Sequence, residues 1–284
     1  MIYKDKNYEE ERSLYHLIND EVINCTFEGK LDGESPLKEC INIKVLNCMV
    51  NLRYPFWHDT NLYLSNSSLK ENSRAPFWYC KHIYINDVKC TGIKAIRESN
   101  DIIVKNSSFD SDEFAWYSSK ITLENSSFVS KYFLFNSKKI RINNITLKGK
   151  YSFQYVNDVI ISNCNFDTKD AFWHASNVVI VNSTLKGEYI GWYSKNITFI
   201  NCKIIGTQPF CYAKKLKLIN CELVDADFAF EYSDVKASIN GHILSIKNPL
   251  RGVINIQGEL DELIIKDYIK LPKAKIFLNN KKIK

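Results

Sequence analysis

The chain has 284 residues, which is enough for one or two ordinary domains. Its net charge of +6 is modest, and no basic cluster precedes the terminal Lys281-Lys282-Ile283-Lys284. We therefore expect a solvated tail there and no nucleic-acid partner. No apolar run approaches the roughly 20 residues that span a bilayer, and no apolar signal segment follows Met1, which favours a cytoplasmic protein without a membrane partner.

The nine cysteines include no Cys-x-x-Cys pair, and their number is odd. Several directly follow an asparagine: Cys25, Cys48, Cys164, Cys202 and Cys221. This pattern is typical of small buried thiols and argues against a metal site or a set of disulfides. We predict no metal and no cofactor.

The chain repeats a pattern that contains an asparagine, which is typical of a solenoid of stacked coils. The repeats in the first part of the chain are longer than the rest. We expect residues 1–10 to cap a first coil that contains Asn24, and residues 11–244 to form the coils. Asn24 and Asn47 are 23 residues apart, and Asn66 and Asp87 are 21 apart. Both spacings exceed the usual 19 residues, and the extra residues fall after the asparagine, in segments 28–34 and 70–74. Insertions at one corner of a solenoid often mark its binding side, and neutral loop drift is the alternative.

A repeat of 19 residues occupies the middle of the chain. Its marker is an asparagine that recurs without interruption at Asn106, Asn125, Asn144, Asn163, Asn182, Asn201 and Asn220. A fixed period of this size is typical of a solenoid, in which each repeat buries its apolar side against its neighbours.

Within each repeat the apolar residues alternate with polar ones, as in Ile197-x-Phe199-x-Asn201, and a second short run such as Cys202-x-Ile204 follows. A third run carries aromatic residues, as in Phe172-Trp173-His174. Three short strands per repeat predict an all-β fold, a single right-handed parallel β-helix. The asparagine suits a left-handed bend, and its amide can bond the same group one coil away.

The period fades from Ser245 onward. We predict a carboxy-terminal cap over 245–284 with a terminal hairpin around Asn279-Asn280, so that 1–284 is a single domain. A cap covers the exposed edge of the last coil.

Stacking the aromatic runs produces two columns of side chains. We name the first the tryptophan column; it contains Tyr15, Lys38, Trp57, Trp78, Arg97, Trp116, Phe135, Gln154, Trp173, Trp192, Cys211 and Phe230. The next residue of each coil forms the tyrosine column: His16, Glu39, His58, Tyr79, Glu98, Tyr117, Asn136, Tyr155, His174, Tyr193, Tyr212 and Glu231.

Adjacent residues of a strand face opposite ways, so only one of the two columns can point outward. We place the tryptophan column inside and the tyrosine column outside. The preceding phenylalanines would then also face outward: Phe56, Phe77, Phe153, Phe172 and Phe210.

An outward aromatic strip edged by charged groups predicts a binding surface. The ligand-binding candidates are His58, Tyr79, Tyr117, Tyr155 and Tyr193, and the candidates for any catalysis are Arg97, Glu98, Glu113, Asp170 and His174. A saccharide is the predicted ligand. A homo-oligomer or another protein partner on the same strip is the alternative, and structural stacking of the rings is a third interpretation. Whether the protein is an enzyme stays open, since the sequence contains no complete catalytic set.

Several motifs resemble an uncharacterised bacterial family classed as a domain of unknown function. They include Tyr54-Pro55-Phe56-Trp57, Arg74-Ala75-Pro76-Phe77-Trp78-Tyr79, Lys169-Asp170-Ala171-Phe172-Trp173 and Phe228-Ala229-Phe230-Glu231-Tyr232. The resemblance covers nearly the whole chain. It implies a pectin-lyase-like right-handed parallel β-helix and implies no activity.

Overall fold

The computed structural model describes residues 1–30, 33–266 and 272–284. Leu31 and Asp32, which belong to the first predicted insertion, lie outside the described residues, as does 267–271 of the predicted carboxy-terminal cap. The chain divides into two compact units, Met1–Thr146 and Leu147–Lys284. The prediction of a single domain stays a prediction.

The described residues of the first unit form thirteen strands and the beginning of a fourteenth. They are β1 (Ile2–Lys4), β2 (Asn7–Tyr8), β3 (Glu21–Ile23), β4 (Thr26–Phe27), β5 (Ile41–Leu46), β6 (Met49–Val50), β7 (Thr60–Leu69), β8 (Phe77–Trp78), β9 (Lys81–Cys90), β10 (Ile96–Arg97), β11 (Asn100–Lys105), β12 (Ser108–Asp110), β13 (Ser119–Lys131) and β14 (Lys138–Lys150).

The second unit contains the remaining strands. They are β15 (Asn157–Ser162), β16 (Asn165–Lys169), β17 (Ser176–Val181), β18 (Thr184–Lys186), β19 (Lys195–Ile200), β20 (Lys203–Ile205), β21 (Leu216–Ala226), β22 (Asp234–Lys247), β23 (Arg251–Ile264), β24 (Lys275–Leu278) and β25 (Lys281–Lys282).

Each unit is a parallel β-solenoid in which equivalent residues of successive coils pair in register. In the first unit Ile102 pairs with Ile121, and in the second Val178 pairs with Ile197. These apolar side chains point inward and are almost fully buried. The described residues form no helix and make up about 14 turns of a right-handed β-helix with a spacing of about 19 residues. The predicted fold is therefore confirmed.

The strands extend beyond the limits predicted for the coils. The strands β1 and β2 lie within residues 1–10 and pair in parallel with β3 and β4, so these residues begin the first coil. At the other end β23 pairs in parallel with β22 and β24. The hairpin at Asn279-Asn280 joins β24 to the antiparallel β25.

Left-handed backbone recurs at the corners of the coils. The predicted asparagines have positive φ, for example 51° at Asn106 and 51° at Asn201. Their amides bond from coil to coil as expected: the Nδ2 of Asn144 donates to the Oδ1 of Asn125 at 2.9 Å, and Asn220 donates to Asn201 at 2.9 Å. Because these side chains point away from the core, they leave the interior to apolar groups.

A second asparagine ladder, which the sequence analysis did not identify, follows another corner. In the first unit Asn42 donates to Asn19 at 2.9 Å and Asn61 donates to Asn42 at 2.7 Å. In the second unit Asn196 donates to Asn177 at 2.8 Å. These residues also have positive φ, so amide ladders mark two corners of the coil.

Candidate functional site

In the part of the chain that the structure describes, the aromatic run of each repeat is mostly a turn, and only β8 and β10 are strands. In the coil of Trp116, the φ angle is positive at Glu113, Ala115 and Tyr117. Strand alternation does not hold in such a backbone. Consequently both Trp116 and Tyr117 lie at the surface, whereas Phe114 and Ala115 are buried.

The structure confirms the outward tyrosine column and corrects the other two placements. The tryptophans of the neighbouring column are half-exposed and lie outside, not in the core. The phenylalanines expected outside are fully buried: Phe56, Phe77, Phe153, Phe172 and Phe210. The physical reason is the left-handed turn, which rotates two consecutive side chains outward and the residue before them inward.

The coil that contains Phe230 also differs in register from the prediction. Phe210 stacks on Phe230 at 6.0 Å between ring centroids, and Tyr212 contacts Tyr232 at 5.8 Å. Phe230 therefore belongs with the buried phenylalanines, and Tyr232, not Glu231, continues the tyrosine column. One extra residue in this coil accounts for the shift.

The aromatic strip of the first unit begins as a stack of rings. Trp57 stacks on Trp78 with centroids 6.0 Å apart, and His58 stacks on Tyr79 at 5.0 Å. Tyr54 fills the corner beside both tryptophans, 6.0 Å from Trp57 and 5.9 Å from Trp78. The rings support one another, which fixes the orientation of Tyr79 at the end of the stack.

A charged coil interrupts this stack. The guanidinium carbon of Arg97 lies 5.8 Å from the Trp78 ring centroid and 5.3 Å from that of Trp116. A cation between two indole faces is favourable by roughly 0.5–2 kcal/mol. Arg97 thus takes the place of a ring in the tryptophan column, where its guanidinium makes cation–π contacts with the rings on either side.

Two carboxylates accompany Arg97. Its Nη1 lies 3.5 Å from Glu113, and its Nε lies 3.5 Å from Glu98 without hydrogen-bonding geometry. The Nε1 of Trp78 donates to Glu98 at 3.4 Å, and Lys94 pairs with Glu113 at 3.2 Å. Both carboxylates therefore contact a cation, and Glu98 also accepts a hydrogen bond from the indole of Trp78.

This arrangement leaves a notch in the tyrosine column, which we name the clamp and define by Tyr79, Glu98 and Tyr117. Adjacent coils are about 4.8 Å apart, so two coils separate the tyrosines by roughly 10 Å. Tyr117 meets Trp116 and Phe135 edge-on, with interplanar angles of 85° and 86°. Of its surface 48% is exposed, against 37% for Tyr79. The clamp therefore offers two tyrosines on either side of a carboxylate.

The second unit carries its own strip, with an unbroken stack. His174 lies between Tyr155 at 4.9 Å and Tyr193 at 5.1 Å, with rings parallel within 9° and 8°. Tyr193 in turn stacks on Tyr212 at 4.7 Å. Because these faces cover one another, the ladder presents ring edges and hydroxyls to solvent.

The tryptophans of this unit are held by their indole nitrogens. The Nε1 of Trp173 donates to the carbonyl of Tyr189 at 2.8 Å, and Trp192 donates to that of Gln208 at 2.7 Å. In the first unit Trp116 donates to Tyr132 in the same way at 2.7 Å. These bonds satisfy carbonyls of the turn in the next coil and stabilise it.

Among the catalytic candidates, the structure brings Arg97, Glu98 and Glu113 into one cluster in the first unit. In the second unit His174 is exposed within the strip, whereas Asp170 is 8% exposed at the start of the turn. Burial raises the pKa of Asp170, and Lys169 partly opposes this effect. Asp170 therefore contributes to the wall of the coil.

Three residues of types that can bind metals, His16, Glu39 and His58, lie on successive coils of the tyrosine column. The imidazole of His16 bonds the carboxylate of Glu39, whereas His58 packs against the aromatic rings of Trp57 and Tyr79. The described residues contain no group of three or more His, Cys, Asp or Glu side chains suited to a metal ion. Equally, no helix in the described part of the chain is long and apolar enough to cross a membrane.

Open grooves follow the first asparagine ladder. Two in the first unit have volumes of about 560 and 530 Å³ and share Asp87 and Lys89. One in the second unit has about 450 Å³, with Asn201, Cys202 and Asn220 among its lining residues. Sequence reasoning considered the asparagines only as structural residues and did not identify these grooves.

The chain belongs to the family described as "Protein of unknown function (DUF3737)", which matches residues 1–277. This confirms the resemblance to a family of unknown function. A search of curated proteins finds no match.

Solved β-helix structures are similar over most of the chain at low identity. The surface protein and adhesin PfbA of Streptococcus pneumoniae is 10% identical, over 98% of this chain and 90% of that one, with a TM-score of 0.39. The catalytic domain of an α-1,3-glucanase in complex with nigerose is 8% identical, over 98% and 64%, with a TM-score of 0.34. The A-module of the Azotobacter vinelandii mannuronan C-5 epimerase AlgE4 is 8% identical, over 97% and 88%, with a TM-score of 0.26. Nothing about binding or catalysis follows from likenesses at this level.

Proposed function

We propose that the protein binds a saccharide in the clamp of the first unit. The observation that carries this proposal is the break in the aromatic stack, where Glu98 separates Tyr79 from Tyr117. A gap of roughly 10 Å between the two tyrosines admits a ring between them. The aromatic faces suit the C–H surfaces of a sugar, and the phenol hydroxyls can hydrogen-bond its hydroxyl groups.

The charges of the cluster support binding more than turnover. Glu98 and Glu113 both pair with Arg97, and Glu113 also pairs with Lys94, so neither carboxylate stands apart as a general acid or base. As hydrogen-bond acceptors, however, they can orient hydroxyl groups. A few polar groups that fix the orientation, set in a mainly apolar site, are typical of small-ligand recognition.

The test is a glycan array followed by calorimetry with the best oligosaccharide. We expect Tyr117→Ala to weaken binding about tenfold, the equivalent of about 1.4 kcal/mol. Tyr63→Ala is the matched control, because Tyr63 is an exposed tyrosine of the same unit, stacked on Tyr84 at 5.1 Å away from the clamp. Equal losses in both variants, or no glycan bound by the unaltered protein, would refute the proposal.

A second candidate function is self-association through the strip of the second unit. The observation that favours it is the unbroken stack of Tyr155, His174 and Tyr193, whose faces cover one another and leave edges and hydroxyls outside. Such a surface suits a protein partner better than a sugar platform. Light scattering distinguishes the two: Tyr193→Ala should lower the mass if this strip holds two copies together, and leave it unchanged otherwise.

A further inference from the structure

Five lysines of the second unit lie on three successive coils, where β19, β21 and β22 are neighbours. They are Lys195, Lys214, Lys215, Lys217 and Lys236, and all of them are exposed. Lys195 pairs in parallel register with Lys214, and Lys217 pairs with Lys236. In-register neighbours on adjacent coils lie about 4.8 Å apart, so like charges are stacked here. We name these five residues the lysine patch.

No described carboxylate neutralises the lysine patch. Elsewhere in this unit Lys203 pairs with Glu222, its in-register neighbour on the next coil, at 3.0 Å. By contrast, none of the five ammonium groups of the patch forms an ion pair with a described residue. Asp234, in β22, pairs with Arg251 at 3.6 Å instead. Because like charges opposite each other destabilise a sheet, an anionic partner would stabilise this face.

Aliphatic side chains continue the same face beside the patch. Ile219 lies two residues after Lys217 in β21, so both side chains point to the same side of the sheet. Ile219 is 47% exposed and pairs in register with Ile200, which pairs in turn with Val181. Ile200 and Val181 are half-buried. The outer face of this sheet thus joins a positive charge to an apolar surface.

The chemistry of this face distinguishes between anionic partners. Single-stranded nucleic acid stacks its bases on exposed aromatic faces, but the neighbouring Tyr193 and Tyr212 cover each other's faces at 4.7 Å. A soluble polyanion would use the lysines and leave the aliphatic side chains in water. An anionic bilayer offers charged headgroups and an apolar boundary together, and clusters of about four to eight basic residues are typical of surfaces that bind anionic lipids.

We propose that the lysine patch and the aliphatic residues beside it bind the surface of a bilayer that contains anionic phospholipid. The ammonium groups contact the headgroup phosphates, and the aliphatic side chains reach the boundary beneath them. We predicted no membrane partner because the sequence lacks an apolar span, but a surface that lies on a bilayer needs none. The proposed surface belongs wholly to the second unit and is independent of the clamp.

The test is co-sedimentation of the full chain with vesicles of phosphatidylglycerol and phosphatidylcholine in equal parts, and with vesicles of phosphatidylcholine alone. We expect binding only to the anionic vesicles, and weaker binding as added salt screens the charges. A triple variant with Lys214→Gln, Lys215→Gln and Lys217→Gln should bind about 100-fold more weakly, since each lysine near an anionic surface contributes about fivefold. Ile219→Ser should also weaken vesicle binding, because buried apolar area contributes to it.

The matched control combines Lys169→Gln, Lys186→Gln and Lys203→Gln, in β16, β18 and β20 of the same unit. It removes the same charge and should lose far less binding than the patch variant. Tyr117→Ala should bind vesicles like the unaltered protein, which separates this surface from the clamp. Circular dichroism and a melting curve check that each variant folds, and the comparison of the two vesicle types needs no variant.

Three results would overturn the proposal: no binding of the unaltered protein to the anionic vesicles, equal losses in the two triple variants, or unchanged binding in the patch variant. Retention of the unaltered protein on heparin or duplex DNA without vesicle binding would assign the lysines to a soluble polyanion and overturn it as well.

Discussion

Asp59 offers a direct test of how the interior of the first unit is stabilised. It is fully buried beside Cys40, whose backbone amide donates to its Oδ1 at 2.8 Å, while its Oδ2 has no hydrogen-bond partner among the described atoms. Ser99, in the same column, accepts the amide of Cys80 at 3.0 Å and donates to the carbonyl of Arg97 at 2.9 Å. The hydroxyl of a serine in this column thus both accepts and donates a hydrogen bond.

We therefore expect Asp59→Ser to stabilise the protein at neutral pH. An unsatisfied buried polar group costs about 1–3 kcal/mol, and serine removes that cost while it keeps the acceptor for the amide of Cys40. For a unit of this size, a gain of 1 kcal/mol raises the melting temperature by about 2–4 °C.

The pH dependence provides a second readout. Burial raises the pKa of Asp59 well above its usual value, so the folded state binds a proton that the unfolded state has released. Its stabilising contribution is complete below the unfolded pKa of about 3.9 and is lost as the pH rises through the folded pKa. The gain in unfolding free energy from Asp59→Ser should accordingly grow as the pH rises from about 3.9 through the folded pKa of Asp59.

The assay is urea unfolding of both proteins at several pH values. Asp110→Ser is the matched control, because Asp110 is exposed in β12, and it should change the unfolding free energy by no more than about 0.5 kcal/mol. An Asp59→Ser protein that is less stable at every pH, or equally dependent on pH, would show the reasoning to be wrong.

Three further changes test the ladders and the turn. Asn201→Leu should cost about 1–2 kcal/mol in chemical unfolding, because leucine is strained at a φ of 51° and cannot bond along the ladder; Thr198→Leu, in the strand β19 that ends just before Asn201, should cost less. Phe172→Ala should cost about 3–5 kcal/mol, since this ring is fully buried; a cost under 1 kcal/mol would indicate an outward ring. The hydrogen bond that the imidazole of His242 donates to the carboxylate of Asp261 raises the pKa of His242, so an NMR titration should show a lower pKa in Asp261→Asn, and an unchanged pKa would contradict the pair.

The candidate site was predictable in part. The exposed tyrosines, Arg97 and Glu98 were identified from column arithmetic, because a solenoid with a constant period places equivalent residues on top of one another. The repeat spacing shows which residues lie next to one another on successive coils, but it does not show which way their side chains point. The rule of strand alternation, applied to a segment that is actually a left-handed turn, therefore reversed the tryptophans and phenylalanines.

The buried stack around Asp59 was present in the sequence as a column, yet its chemistry was not recognisable there. The second asparagine ladder, at Asn42 and Asn61, was missed because the same corner of the following coils carries other residues, and no asparagine recurs there from coil to coil: His82, Asp101, Lys120 and Lys139.

By itself the sequence determined the architecture: a period of about 19 residues, alternating apolar residues and a bend asparagine admit few folds other than a parallel β-helix. The tertiary structure alone decided which faces of the aromatic turns meet solvent and how the rings stack. It also decided that Arg97 breaks the stack in the first unit. The physical reason is that hydrophobic periodicity specifies which residues recur together, whereas side-chain direction depends on the φ angles at each corner, and these are set by hydrogen bonds to the coils on either side.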